Sequence, residues 1–137
     1  MKIRAFSDLH LDWYDPNNLW YPAEQPDDKD TVLILAGDLW VGTKWIEHAG
    51  KSWIASIASR FKHVIVVLGN HCLWPQGDLT ISNAGNKCNA MLQDRGLTNV
   101  HVLDCDTLVI DDIMFVGATL WTDMNKEDPL AMYNMPR

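Results

Sequence analysis

The sequence has 137 residues, a length that fits one domain, and its 47% hydrophobic content is ordinary for a globular protein that buries a core. Its formal net charge of −7 and its scattered lysine and arginine residues exclude the basic surface that dedicated nucleic-acid-binding proteins carry. The charge does not exclude a nucleotide substrate, because an acidic site loaded with metal cations still attracts phosphate groups.

The cysteines and the amino terminus predict the compartment. The three cysteines are widely spaced and form no C-x-x-C pair, so neither a disulfide framework nor a thiolate zinc site is indicated. Asp8 interrupts the amino terminus before an apolar segment develops, and no apolar run approaches the roughly 18 residues needed to span a bilayer. We therefore expect a soluble, cytoplasmic protein with reduced thiols and no membrane partner.

Three predicted strands share one property, because each ends at a polar turn. Lys2 to Phe6 alternates polar and apolar residues, as a half-buried strand does. Thr31 to Ala36 and His63 to Leu68 are almost continuous apolar runs, which are typical of strands buried on both faces of a parallel sheet. The turns that follow the three strands are Ser7-Asp8, Gly37-Asp38 and Gly69-Asn70-His71.

The rest of the chain predicts crossover helices and a hairpin. Residues 12 to 30 have no period and are rich in Asp, Asn and Pro, which indicates a long surface loop. Apolar residues recur at helical spacing from Thr43 to Phe61, with Thr43 as a candidate N-cap. A second helix is predicted from Ser82, its cap, to Arg95, and Gly96 stops it. The later predicted strands are Val100 to Leu103, Thr107 to Ile110 and Ile113 to Ala118.

Candidate metal ligands stand directly beyond the first three strands. Asp8 and His10 are two residues apart, so in an extended segment both side chains would face one metal ion. Asp38 and Asn70 follow the second and third strands, and the carboxyl ends of neighbouring parallel strands meet in one crevice. Carboxylate and imidazole ligands together suit Mn, Fe or Zn. The sequence therefore predicts one metal site from these four residues.

Two glycines stand immediately before two of these ligands. Gly37 precedes Asp38 and Gly69 precedes Asn70, where a residue without a side chain lets the backbone turn sharply or approach an ion closely. Any one such turn would be ordinary loop chemistry. The repetition of the pattern after successive apolar strands favours a shared functional site.

Other polar residues and the tryptophans have plainer interpretations. His48, His63 and His101 are predicted to be surface or capping histidines, and Asp12 and Asp123 to be solvated or capping acids. Cys72 is predicted to be packed. Five tryptophans fall in predicted loops, where packing is favoured over stacking on a substrate; they are Trp13, Trp20, Trp40, Trp74 and Trp121.

The segments FSDLHLD, LAGDL and VLGNH resemble the first three motifs of the calcineurin-like metallophosphoesterase superfamily, and the resemblance covers nearly the whole chain. It implies an α/β fold, a partial αββα sandwich with a mixed sheet and crossover helices. It also implies that Asp8 and His10 bind one metal ion, that Asp38 bridges two, and that Asn70 binds the second. His71 would then approach a phosphate ester and donate a proton to the leaving oxygen.

The resemblance implies a metal-dependent phosphoesterase that hydrolyses phosphomonoesters or phosphodiesters with two divalent ions, Mn, Fe or Zn. The superfamily's later Gly-His and Gly-His-x-His motifs, which supply three more ligands, do not occur in residues 1–137. We therefore expect a single domain over 1–137 that is incomplete at its carboxyl end.

An alternative interpretation of the sequence is a non-catalytic or truncated binding fragment, which needs more chain for its site and associates through an exposed sheet. Another is a nucleotide-binding α/β domain. It is disfavoured because the sequence has neither G-x-G-x-x-G after a strand nor a G-K-[ST] loop.

Overall fold

A computed structural model of the protein describes residues 1–43, 47, 49–74, 78–121 and 126. The strands are β1 (Lys2–Ser7), β2 (Thr31–Ala36), β3 (His63–Val67), β4 (Val100–Leu103), β5 (Asp106–Ile110) and β6 (Ile113–Gly117). The helices are α1 (Ala49–Arg60) and α2 (Ala84–Gln93). In this part of the chain, no helix is long and apolar enough to cross a membrane.

Four strands form a parallel sheet in the order β1-β2-β3-β4. The register pairs Lys2 with Thr31 and Val64 with Val100, so the strands run side by side in chain order. Their carboxyl ends therefore meet at one edge, as the sequence predicts. β5 and β6 pair in an antiparallel sheet of their own. The predicted α/β class is confirmed, with the parallel and antiparallel strands divided between two sheets.

The helices cover one face of the parallel sheet. Trp53 and Ile57 of α1 and Cys88 and Leu92 of α2 are buried in the same cluster as the inward side chains of β2 and β3. The helical periodicity predicted these inward positions correctly. Ile46 and His48 of this predicted helix lie outside the described residues, whereas the candidate N-cap Thr43 is described and donates its hydroxyl to Asp78 Oδ2 at 2.5 Å.

The hairpin of β5 and β6 covers part of the other face. Ile110 packs there with Val32, Ile65 and Leu103 in a second buried cluster. The outer side of the hairpin carries exposed apolar side chains, among them Val116 at 74% exposure. Helices, parallel sheet and hairpin thus form three successive layers, which is the partial sandwich that the resemblance implied.

The predicted cap of α2 is wrong. The helix begins at Ala84 with Asn83 in the cap position, and the Ser82 hydroxyl lies 3.1 Å from the hydroxyl of Thr80. The Asn83 side chain accepts the backbone N–H of Thr80 at 2.8 Å, so the polar side chains of residues 80–83 bond within the turn before the helix. The stop at Gly96 is confirmed, because its φ of 73° is left-handed.

A buried carboxylate ties the long loop to the sheet and to α1. Asp28 is 4% exposed and accepts hydrogen bonds from Arg4 and Arg60, each at 2.7 Å, and from the Gln25 N–H at 3.0 Å. Burial alone would raise the pKa of Asp28, but the Gln25 N–H and the two guanidinium groups hold the pKa below its usual range. The loop is therefore anchored beside β1 rather than free.

Candidate metal site

The loops that carry the predicted ligands continue the hydrogen bonding of the parallel sheet. The N–H of Asp8 donates to the Gly37 carbonyl at 3.2 Å, and the N–H of His10 donates to the Asp38 carbonyl at 2.9 Å. On the other side, the Gly37 N–H donates to the Val67 carbonyl at 2.9 Å. Each loop is thus held in register with its neighbour just beyond the strand ends.

Three of the predicted ligands have left-handed backbone conformations. The φ angles are 54° for Asp8, 43° for His10 and 46° for Asp38. Such angles are uncommon for residues with a side chain, and they concentrate at functional sites. The extended geometry predicted for Asp8 and His10 is therefore wrong, because β1 ends at Ser7 and the backbone changes hand.

The left-handed turns nevertheless bring the three side chains together. One ligand atom each from Asp8, His10 and Asp38 lies within 4.8 Å of the others, and His10 Nε2 is 4.0 Å from Asp38 Oδ2. His10 Nδ1 is buried without a hydrogen-bond partner among the described residues. Two carboxylates and an imidazole are a donor set that suits a divalent transition metal. These residues fit the metal ion that the motifs imply.

Gly69 makes room for the Asp38 carboxylate. Asp38 Oδ1 accepts the backbone N–H of His71 at 2.9 Å, while Oδ2 is the oxygen that faces His10. A Cβ atom at position 69 would lie 2.0 Å from Asp38 Oδ1 and 2.4 Å from the Asp38 backbone nitrogen. The predicted close approach at this glycine is therefore to a ligand carboxylate.

Asn70 shares a cleft with the two carboxylates. The cleft has a volume of about 700 Å³ and opens at the carboxyl ends of β1, β2 and β3. Asp8, Asp38 and Asn70 line this cleft together with residues 118–121. All four predicted metal ligands are therefore at or beside the same edge of the sheet.

The side chain of His71 is turned toward a residue that sequence reasoning left out. His71 is 2% exposed, and its Nε2 lies 3.0 Å from Asp12 Oδ2. Asp12 belongs to the single-turn helix Leu11–Trp13 and is neither a solvated acid nor a cap. The sequence feature that could have identified Asp12 as a site residue is its position two residues after His10 in the same loop.

A second set of candidate ligand atoms overlaps the first. His10, Asp12 and His71 each offer one atom within 4.8 Å of the others.

The model of the calcineurin-like phosphoesterase family matches residues 1–132. The chain belongs to this family. Family members generally bind divalent metals, and the structure has candidate ligand groups for such an ion.

Two similar proteins show the extent of the match. An uncharacterised protein of Acanthamoeba polyphaga mimivirus is 26% identical over 133 residues, covering 90% of this chain and 45% of that protein. The structure of a phosphopantetheinyl hydrolase from Mycobacterium tuberculosis has 22% identity and a TM-score of 0.49, covering 88% of this chain and 42% of the other. The chain thus spans less than half the length of each.

Two histidines that were predicted not to be ligands form a pair of their own. His63 and His101 meet each other, with ring nitrogens 3.3 Å apart, at the starts of β3 and β4. Cys72 is fully buried, as predicted, and burial raises the pKa of its thiol.

Packing was the predicted use of the tryptophans. This is right for Trp40, which is buried, but not for Trp13, which is 70% exposed and stacks on His10. Asp123 lies outside the described residues.

Proposed function

We propose that this chain carries the metal-binding part of a phosphoesterase that hydrolyses phosphomonoesters or phosphodiesters. Asp8, His10, Asp38 and Asn70 would hold two divalent metal ions, manganese, iron or zinc, with Asp38 shared between them. The observation that carries the proposal is that one ligand atom each from Asp8, His10 and Asp38 lies within 4.8 Å of the others, with Asp8 and Asp38 lining the cleft. The family membership of the chain supports the same chemistry.

Bound metal ions supply positive charge that polarises phosphoryl oxygens and activates water for attack on phosphorus. The chain's own residues prepare the place for this chemistry. Asp38 is held by the His71 N–H through one oxygen, which leaves the other oxygen directed at the site. Because the loops are hydrogen-bonded to each other, the ligands are positioned before any substrate arrives.

We assign the substrate's phosphate to the cleft edge beside Asp8, Asp38 and Asn70. A negatively charged protein binds such a group once cations neutralise its carboxylates. A nucleotide is an admissible substrate, whereas long nucleic acids are not favoured by the net charge of −7.

We assign to His71 the donation of a proton to the leaving oxygen. The ring lies beside the metal ligands, with its centroid 4.6 Å from that of His10. His71→Ala should slow turnover while leaving the metal bound, because the Asp38 carboxylate is held by the backbone of residue 71 and not by its side chain.

Calorimetric titration with Mn²⁺, combined with hydrolysis of an aryl phosphate monoester and its diester, tests the proposal. The wild type should bind two ions and hydrolyse one of the esters, and Asp38→Asn should lose both properties. Asp112→Asn is the matched control, because Asp112 is exposed in the turn between β5 and β6. Unchanged Mn²⁺ affinity in Asp38→Asn would contradict the ligand assignment.

A second candidate function is a non-catalytic binding fragment that is completed by further chain. The chain spans less than half the length of the two relatives above. The outer side of the β5–β6 hairpin also exposes Val109, Met114 and Val116, a surface suited to association. Light scattering coupled to size-exclusion chromatography separates the candidates, because a monomer that binds metal and hydrolyses ester needs no second chain.

A further inference from the structure

We propose that Asp12 is a positioning residue, which fixes the ring orientation and the tautomer of His71. The inference deepens the proposed function and rests on it, since His71 there serves the leaving oxygen. It assigns a role to a side chain outside the predicted ligand set.

The contact between the two side chains is short and shielded from solvent. Asp12 Oδ2 lies 3.0 Å from His71 Nε2, and the side chains are 18% and 3% exposed. A carboxylate accepts hydrogen bonds and donates none, so this contact keeps a proton on Nε2. The tautomer of a histidine is set by the hydrogen bond that one of its nitrogens makes. The nitrogen that would donate to the leaving oxygen is then Nδ1, which carries a proton only in the doubly protonated ring, while Asp12 holds the proton on Nε2.

Aromatic rings surround His71 without selecting its tautomer. The ring centroids of His10 and Trp74 are each 4.6 Å from that of His71, and Trp13 lies at 5.5 Å. Edge-to-face packing of this kind restricts the tilt of the imidazole. Within the described part of the chain, the hydrogen bond to the ring comes from Asp12.

The same loops connect this pair to the metal ligands. Leu11, just before Asp12, donates its N–H to the Leu39 carbonyl at 2.7 Å, one residue beyond Asp38. The backbone N–H of His71 donates to Asp38 itself. The turn that carries Asp12 is therefore hydrogen-bonded to the loop of the metal ligand Asp38. The contact with Asp12 thus fixes the orientation of the His71 ring relative to the ligands.

Nitrogen-15 NMR of the uniformly labelled protein without metal tests the inference. At a pH of about 8, above the ordinary histidine pKa, long-range proton–nitrogen correlations identify which ring nitrogen carries the proton. We expect His71 to be a single Nε2–H tautomer in the wild type. A wild-type His71 with its proton on Nδ1, or with a mixture of tautomers, overturns the inference without the need for any variant.

Asp12→Asn supplies the second test, because the amide has nearly the same shape but can donate as well as accept. His71 should then show a mixture of tautomers, and Asp12→Ala, which removes the acceptor, should abolish the preference for Nε2–H. An unchanged Nε2–H pattern in Asp12→Ala overturns the inference. The control is Asp15→Asn in the same loop, where the carboxylate bonds locally to the Asn17 N–H at 2.8 Å. This control should leave the signals of His71 as they are.

Kinetics separate this inference from the proposed function. With an aryl phosphate as substrate, Asp12→Asn should lower kcat by about 100-fold at constant KM, as expected when a catalytic group is misplaced but substrate binding is kept. Equal kcat in variant and wild type overturns the positioning role. A wild type that hydrolyses no ester refutes the proposed function, and the NMR result then still decides whether Asp12 fixes His71.

Discussion

Replacement of Gly69 by alanine tests whether the position of Asp38 makes the metal site. The added Cβ would lie 2.0 Å from Asp38 Oδ1 and 2.4 Å from the Asp38 backbone nitrogen. Ordinary contacts are about 3.5 Å, so the Asp38 backbone must move by about 1 Å and its Oδ1 atom by about 1.5 Å. The backbone of residue 69 is not left-handed, so the clash with Asp38, and not backbone strain, carries the effect.

The displacement exceeds what a metal site tolerates. Metal–ligand distances are held to within roughly 0.2 Å, so a shift of about 1 Å removes Asp38 from useful coordination. We expect Gly69→Ala to lower Mn²⁺ affinity by about 100-fold, the upper end of effects seen when the support of a ligand is lost. The overpacking should also lower the free energy of unfolding by about 2 kcal/mol.

Calorimetry with Mn²⁺ and urea unfolding of the metal-free protein measure the two effects separately. Gly85→Ala is the matched control, because its Cβ would lie 2.6 Å from the Asp104 Cβ, away from the site. It should affect stability while keeping the Mn²⁺ affinity. A folded Gly69→Ala protein with wild-type Mn²⁺ affinity would refute the reasoning that Asp38 is a ligand placed by this glycine.

Two further predictions concern stability. Asp28→Asn leaves Arg4 and Arg60 without their buried carboxylate, so urea unfolding should show a loss of about 3 kcal/mol, and a loss below about 1 kcal/mol would contradict the anchoring role. Burial and the neighbouring His63 lower the pKa of His101 in the folded protein. His101 therefore binds a proton more readily in the unfolded chain than in the folded protein. The Tm should therefore fall as the pH drops below about 6.5, and fall less in His101→Asn; equal falls would exclude His101 as the cause.

Much of the fold follows from local patterns in the sequence. Continuous apolar runs predict β2 and β3 because a parallel sheet covered on both faces buries both sides of a strand. The helical spacing predicts the inward side of α1 because apolar residues that repeat at this spacing form one face of the helix, which is buried against the sheet. Ser82 shows the limit of such patterns. Its neighbour Asn83 takes the cap position, and the side chain of Asn83 bonds to the Thr80 N–H within the turn, which the helical pattern does not predict.

The candidate site could be predicted only in part. Strand order places Asp8, Asp38 and Asn70 at one edge, and this follows from parallel topology alone. The left-handed backbone at Asp8 could not be predicted, because asparagine and aspartate tolerate such angles without requiring them. Asp12 was missed because its contact with His71 joins residues that are far apart in sequence.

The hydrogen bonds between the site loops bear on how the site moves. The amides of His10 and Leu11 are bonded to the neighbouring loop, and the amide of Gly37 to the end of β3, as though all three were strand residues. Local opening exposes an amide to solvent exchange only when such bonds break. These three amides should exchange with deuterium at rates close to those of β2 and more slowly than the amides of Asn17 and Asn18, which bond only within their own surface turn. The ligand loops would then open together with the sheet, and substrate entry would depend on other parts of the surface.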